Sequence, residues 1–333
     1  MNASRSALCE NLYSVATIAS GTVAYLYAFG AALCGLLGIL PNALLFYLSA
    51  AGGKVEGDFK IFFANLSLSD GLFSFALLVA GTNLLAACQI DAIVGLQLSV
   101  HVCQAFSLVN VHFSATGIYS LMLVCLQRYV YLRKASKAKS WSRRSCVAVS
   151  VAIHAPVALS NALAVALANG EAESNASLLD CAQTLSFHPA VFGATWAVAI
   201  LGALASVVFS LLALRALQLH KKQSVGQQQQ RQQQKEWAIV LTTVVESVTP
   251  FFLLCPLGLY LILAFSLGVD LSGELHLTTV NALQFLFMLY PVADGVAALC
   301  LIPSYRKAAV ALFIDCDKVH AINTTTNNNV VRG

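Results

Sequence analysis

Charge is what this 333-residue chain lacks most: Asp, Glu, Lys and Arg together make up 10% of it, against 58% apolar residues. A soluble domain carries about a quarter charged residues, so a water-soluble fold, a disordered chain and a coiled coil are excluded together. Metal-ligand spacing is missing as well. The ten cysteines are scattered, which argues against zinc. The sequence has no Gly-x-Ser-x-Gly elbow, no phosphate loop and no His-Glu pair at metal spacing, so nothing in it points to an enzyme or to a cofactor.

What is present is a set of long charge-free runs, at 11–53, 71–90, 92–127, 145–170, 181–214, 247–269 and 275–293. About 20 apolar residues in a helix cross the hydrocarbon of a bilayer. Only helices and closed barrels satisfy their backbone there, and these continuous runs lack the short alternation of barrel strands. The expectation is an all-α membrane protein, a seven-helix bundle with spans near 22–50, 59–88, 97–132, 146–168, 188–219, 236–267 and 275–302. A short amphipathic helix follows near Ala308–Phe313.

Threading the seven spans with the N-terminus outside leaves only Arg5, of 19 lysines and arginines, on the outer side. Glu10, Asp91, Glu171, Glu173, Asp180, Asp270 and Glu274 face outward. Positive charge collects on the cytoplasmic side of membrane proteins, so the topology reads N-out and C-in. Residues 1–21 then form an outer tail, 22–313 the membrane domain and 314–333 a disordered cytoplasmic tail. Residues 1–20 do not read as a cleavable signal, because polar residues interrupt any apolar core. The Gln-rich stretch 223–234 reads as a flexible or frayed-helical linker, and the basic loop 133–144 suits anionic lipid or an acidic partner. Sequons at Asn2 and Asn175 lie outside in this topology.

Three carboxylates stand inside spans: Asp70, Glu246 and Asp294. A charge in hydrocarbon is costly, so such residues face the bundle interior. There they lock helices together by hydrogen bonds or share water, a cation or a proton. Arg128 ends span 3 either as a snorkelling anchor or as a functional group. Cys34, Cys125, Cys255 and Cys300 read as small buried apolar residues. Cys103 and Cys181 both fall on the oxidising side, where a bridge between them would pin the second outer loop across the bundle. Cys9 with Cys88 is a second candidate bridge, and Cys316 a candidate for acylation. Pro250 and Pro256 bend span 6, and Pro291 with Gly295 loosens span 7.

These marks resemble the rhodopsin-like G-protein-coupled receptors across nearly all of residues 20–313. They are Asn42 in span 1, Asn65-Leu66-Ser67-Leu68-Ser69-Asp70 in span 2, Cys103 and Arg128 twenty-five residues apart in span 3, Cys181 in the outer loop and Pro256 in span 6. The departures are specific. Gln127 stands where the family has an acid, which removes the usual charge lock on Arg128. Span 4 has no tryptophan, and Cys255-Pro256 has no aromatic between its members. Span 7 reads Tyr290-Pro291-Val-Ala-Asp294-Gly295 and carries no lysine, excluding a retinal Schiff base. With two prolines six apart in span 6 and Tyr305-Arg306-Lys307 after span 7, the chain is similar to nematode serpentine chemoreceptors of the Str and Srd kind.

The resemblance implies a plasma-membrane receptor, in sensory cilia if the chemoreceptor likeness holds. It takes a small molecule in the outer half of the bundle and a heterotrimeric G protein at the inner face, near Arg128 and Tyr129. Asn42, Asp70, Pro256 and Asp294 take part in activation. By depth along the helices the ligand candidates are Asn110, His112, Ser114, Thr195, Trp196, Tyr260, Asn281 and Gln284. No acid stands in the outer half of span 3, which disfavours an amine ligand and suits a neutral or weakly polar one. Two rival readings stay open. One is a transporter or channel that uses the three buried acids as a relay, although no inverted repeat supports it. The other is a receptor-like partner that does not signal.

Overall fold

A computed structural model describes residues 21–50, 59–87, 92–133, 142–167, 189–221, 227–267 and 274–312. Every element among them is helical: Gly21–Ala50 (span 1), Phe59–Ala87 (span 2), Ala92–Arg133 (span 3), Arg143–Ala152 and His154–Leu167 (span 4), Pro189–Lys221 (span 5), Gln227–Leu253 and Cys255–Leu267 (span 6), and Glu274–Leu301 (span 7). A short helix follows over 303–312. Seven of these segments are long and apolar enough to cross a membrane. Span 6 starts nine residues earlier than the sequence suggests, because the second half of the Gln-rich stretch is helical from Gln227 onward.

The local rules follow from a solvent that offers no hydrogen bonds. Serine and threonine within the spans return their hydroxyls to the carbonyl one turn back, as Ser74 does to Asp70 (2.7 Å), Ser120 to Thr116 (2.7 Å) and Ser206 to Gly202 (2.9 Å). Ser142 caps span 4 by accepting from the Ser145 amide at 3.1 Å. The prolines act unequally. Pro156 and Pro256 each lack the N–H that would continue the ladder, and the helices break just before them, at Ile153 and Leu254. Past the second break the Gly258 amide reaches the Leu254 carbonyl only at 3.5 Å. Pro41 and Pro291 sit inside unbroken helices. Gly295 lets span 1 come close: a Cβ there would lie 3.0 Å from Pro41 Cγ and from Asn42 Nδ2.

Span 3 is central and touches spans 2, 4, 5 and 6. One apolar cluster joins Phe73, Ile118, Trp196, Leu254, Phe287 and Tyr290. A second joins Leu45, Phe62, Phe63, Leu121, Val124, Ile302 and Tyr305, so the 303–312 helix is part of the core. Large apolar side chains such as Phe29, Leu40, Leu159, Leu201 and Phe252 point outward, the face a bilayer would cover. Cys34, Cys125 and Cys255 are buried as expected, whereas Cys300 is exposed, because it falls on the outer face of span 7.

Spans 1 and 2 approach most closely. A Cβ on Gly35 would lie 2.4 Å from the Leu78 amide nitrogen, and one on Gly81 2.4 Å from that of Ala32. Backbone cannot step aside as a side chain can, so overpacking here costs about 1–3 kcal/mol or more. Gly35→Val and Gly81→Val are each expected to lower the thermal midpoint and the surface level. Gly71→Ala, which meets only Asn42 Cβ at 3.6 Å, should leave both nearly unchanged in a fluorescence thermal-shift and surface-labelling comparison.

Candidate functional site

Span 3 ends with Arg128, whose side chain is nearly enclosed. Its Nη1 lies 3.7 Å from Oε2 of Glu236, where the membrane-crossing part of span 6 begins. The sequence reading, looking only at the neighbouring Gln127, has Arg128 without a charge partner. The partner comes from another helix. A largely buried pair of this kind, at 3.7 Å an ion pair rather than a hydrogen bond, is screened by less water than an exposed pair would be. Tyr129, beside Arg128, stacks on Phe209 of span 5 and bonds Arg133 (3.1 Å). Below them Tyr305 meets Ser49 at 2.6 Å and Phe63 at 5.9 Å. Burial pushes the Tyr305 phenol above its ordinary pKa, leaving it a neutral hydrogen-bonding group. This end of the bundle also carries Lys60, Arg133, Arg144, Arg215, Arg306 and Lys307.

Toward the middle, Asn42 donates from Nδ2 to the carbonyls of Gly38 (2.9 Å) and Pro291 (2.8 Å), clamping span 1 to span 7. Asp70, Glu246 and Asp294 come from spans 2, 6 and 7 and are 1–2% exposed. The Tyr290 hydroxyl faces both aspartates. Gly117 of span 3 leaves the gap they share, since a Cβ there would meet Asp70 Oδ1 at 3.1 Å and the Tyr290 hydroxyl at 3.4 Å.

The opposite half holds the ligand candidates, divided between two faces. Trp196 is buried against Gly258 of span 6, whose missing side chain its indole occupies, and lies 6.1 Å from Phe287. Tyr260 packs against the same cluster. Gln284 accepts from the Tyr27 hydroxyl at 2.6 Å, tying span 7 to span 1. Ser114 is buried and returns its hydroxyl to the Asn110 carbonyl, and the Asn110 side-chain oxygen has no hydrogen-bond partner. His112 and Thr195 instead turn toward span 4. His112 Nε2 lies 3.1 Å from His154 Nδ1, and His154 Nε2 lies 3.1 Å from Asn65 Oδ1. Asn65 then donates to Ser120 at 2.7 Å. Thr195 meets Ser160 at 2.6 Å. In a span without tryptophan, His154 is thus the polar link to spans 2 and 3. The side chains of Cys103 and Asn281, and Cys181, Cys9, Cys88, Asn2, Asn175 and Cys316 entirely, lie outside the described residues.

With this geometry in view, the comparisons define the class. Residues 41–294 match the family model of the 7 transmembrane receptor (rhodopsin family). The fold is similar to the crystal structure of squid rhodopsin, with a TM-score of 0.70 at 14% identity, covering 89% of this chain and 86% of that one. No curated protein matches the sequence. The chain belongs to the rhodopsin family of seven-transmembrane receptors. It is accordingly a multi-pass plasma-membrane protein of the G-protein-coupled receptor class, a signalling receptor and not an enzyme.

Two outcomes follow. Glu236→Gln keeps the shape and removes the charge, so basal nucleotide exchange on a cognate G protein should rise several-fold, with surface level unchanged. His154→Leu strands Asn65 and His112, each a half-buried polar group, at about 1–3 kcal/mol. A matching fall in the thermal midpoint should appear, and His154→Gln should restore part of it.

Proposed function

We propose that this receptor is chemosensory. Its ligand is a small neutral or weakly polar molecule, bound in the outer half of the bundle, and binding opens the inner face to a heterotrimeric G protein. The observation that carries the reading is the Arg128–Glu236 pair, which ties the end of span 3 to a helix already interrupted at Leu254. A ligand that binds the state with span 6 released better than the latched state shifts the population toward it. Trp196 and Tyr260 give the pocket an apolar wall, and Asn110, Ser114, Gln284 and Asn281 supply its polar contacts. His112 and Thr195 act from the seam with span 4, as groups that hold the wall in place. The absence of an acid in the outer half of span 3 supports a neutral ligand over an amine.

The charge distribution supports an N-out, C-in topology, with the basic end facing the G protein and anionic lipid. In that topology Cys103 and Cys181 form the outer disulfide, and Asn2 and Asn175 are open to glycosylation. The motif set around Pro250, Pro256, Asp294 and Tyr305 supports a place among chemoreceptors of the nematode serpentine kind, with sensory cilia as the site of action.

Membranes carrying the chain, incubated with a G-protein panel and a mixed odorant library, should show nucleotide exchange that depends on the chain and is lost in Arg128→Ala. Cation flux without any exchange, in well-folded surface-located protein, would replace this reading with a transporter.

A further inference from the structure

A chain of hydrogen bonds crosses the seam of spans 2, 3 and 4, and its last link fixes the direction of all the others. The Thr116 carbonyl can only accept, and it takes the Ser120 hydroxyl proton at 2.7 Å. With its one proton given away, Ser120 Oγ accepts from Asn65 Nδ2 at 2.7 Å. Asn65 Oδ1 accepts in turn, so the His154 nitrogen 3.1 Å from it, Nε2, carries the hydrogen. A neutral imidazole has one N–H and one bare nitrogen, and the charged form is costly in hydrocarbon. His154 Nδ1 is therefore bare and accepts from His112 Nε2 at 3.1 Å. The chain ends at His112 Nδ1, an acceptor with no hydrogen-bond partner among the described residues.

This acceptor lies at the outer side of the bundle. Asn65, His112 and His154 are each only half-buried. The first half of span 4 packs on span 2, whereas its second half, from His154 onward, packs chiefly on spans 3 and 5. Spans 2 and 4 thus part beyond His154, and span 3 floors the gap. One face of span 2 carries Asn65, Leu68 and Phe75, and Ala158 stands one turn beyond His154 on span 4. Leu68, Phe75 and Ala158 are exposed. The result is an apolar furrow with one bare acceptor in its floor. Lipid tails cannot donate to that nitrogen, and a hydroxyl can.

We propose that this furrow is a second binding site, separate from the pocket inside the bundle, for a membrane-dissolved alcohol. Its tail lies against Phe75 and Leu68, and its hydroxyl donates to His112 Nδ1. An ether or ketone of the same shape has no proton to give, and the direction of the chain leaves His112 no free N–H to offer it. Each bond in a directed chain polarises the next, so an alcohol at His112 tightens the seam as far as Ser120. The site rests on this seam alone and not on the ligand or G protein proposed above.

The test uses the purified full chain, carrying isotope-labelled histidine, in phosphatidylcholine nanodiscs. The probe is a diazirine-bearing dodecanol, with its methyl ether as control. Nitrogen NMR, assigned by signals lost in His112→Phe and His154→Gln, should show both histidines in the Nε2–H form. The bare His112 nitrogen should shift upfield with the alcohol and stay in place with the ether. Photolabelling should favour the alcohol several-fold, fall near Phe75 or Ala158, and lose that preference in His112→Phe. An Nδ1–H form of His112, an equal response to the two probes, or alcohol label confined to Trp196 and Tyr260 inside the bundle would each overturn the site. Comparing the two probes on wild type decides it even if His112→Phe does not fold.

Discussion

Polar groups within the spans are drawn to partners inside the bundle, because the surrounding hydrocarbon supplies none. The Arg128–Glu236 pair is the sharpest case. Removing Glu236 takes a charge partner from the nearly enclosed Arg128, so the pair favours the packing in which spans 3 and 6 meet. The same constraint explains the seams elsewhere. Asn42 clamps spans 1 and 7, His154 and Asn65 tie spans 4, 2 and 3, and Ser210 bonds Cys125 of span 3 and the Thr243 carbonyl of span 6. Apolar packing fills the space between these links.

The break in span 6 divides that constraint between two half-helices. Between Leu253 and Cys255 the helix loses its continuity. The basic-end half is then held to its neighbours by the ion pair and the Ser210–Thr243 bond, and the other half by Trp196 resting on Gly258. Glu246 lies on the latched side of the break, which places its charge among those that shift if the latch opens.

The spans were legible in the sequence because a charge-free run of 20 residues admits few alternatives, and helix ends agreed with that reading to within a few residues at most positions. Burial of Asp70, Glu246 and Asp294 followed from the same logic. Glu236 was missed, since it sits at the end of a Gln-rich stretch that reads as linker. Its signal was nonetheless present: it is the one acid between the basic second loop and Glu246 on the positively charged side. His112 and Thr195 were assigned by depth along their helices. Depth does not report which way a side chain turns around the axis, and both turn to span 4. Asn42 was recognised by its position, but its bond to Pro291 joins residues 249 apart in the chain, and no local pattern reveals it.

The central claim is that the Arg128–Glu236 pair latches span 6 to span 3. Genetically encoded spin labels at Tyr131 and Trp237, both exposed at the basic end, report the separation of the two helices by pulsed electron resonance in nanodiscs. The account predicts one dominant short distance in the parent and a second, longer population in Glu236→Gln. A single unchanged distance in a folded Glu236→Gln protein would contradict it.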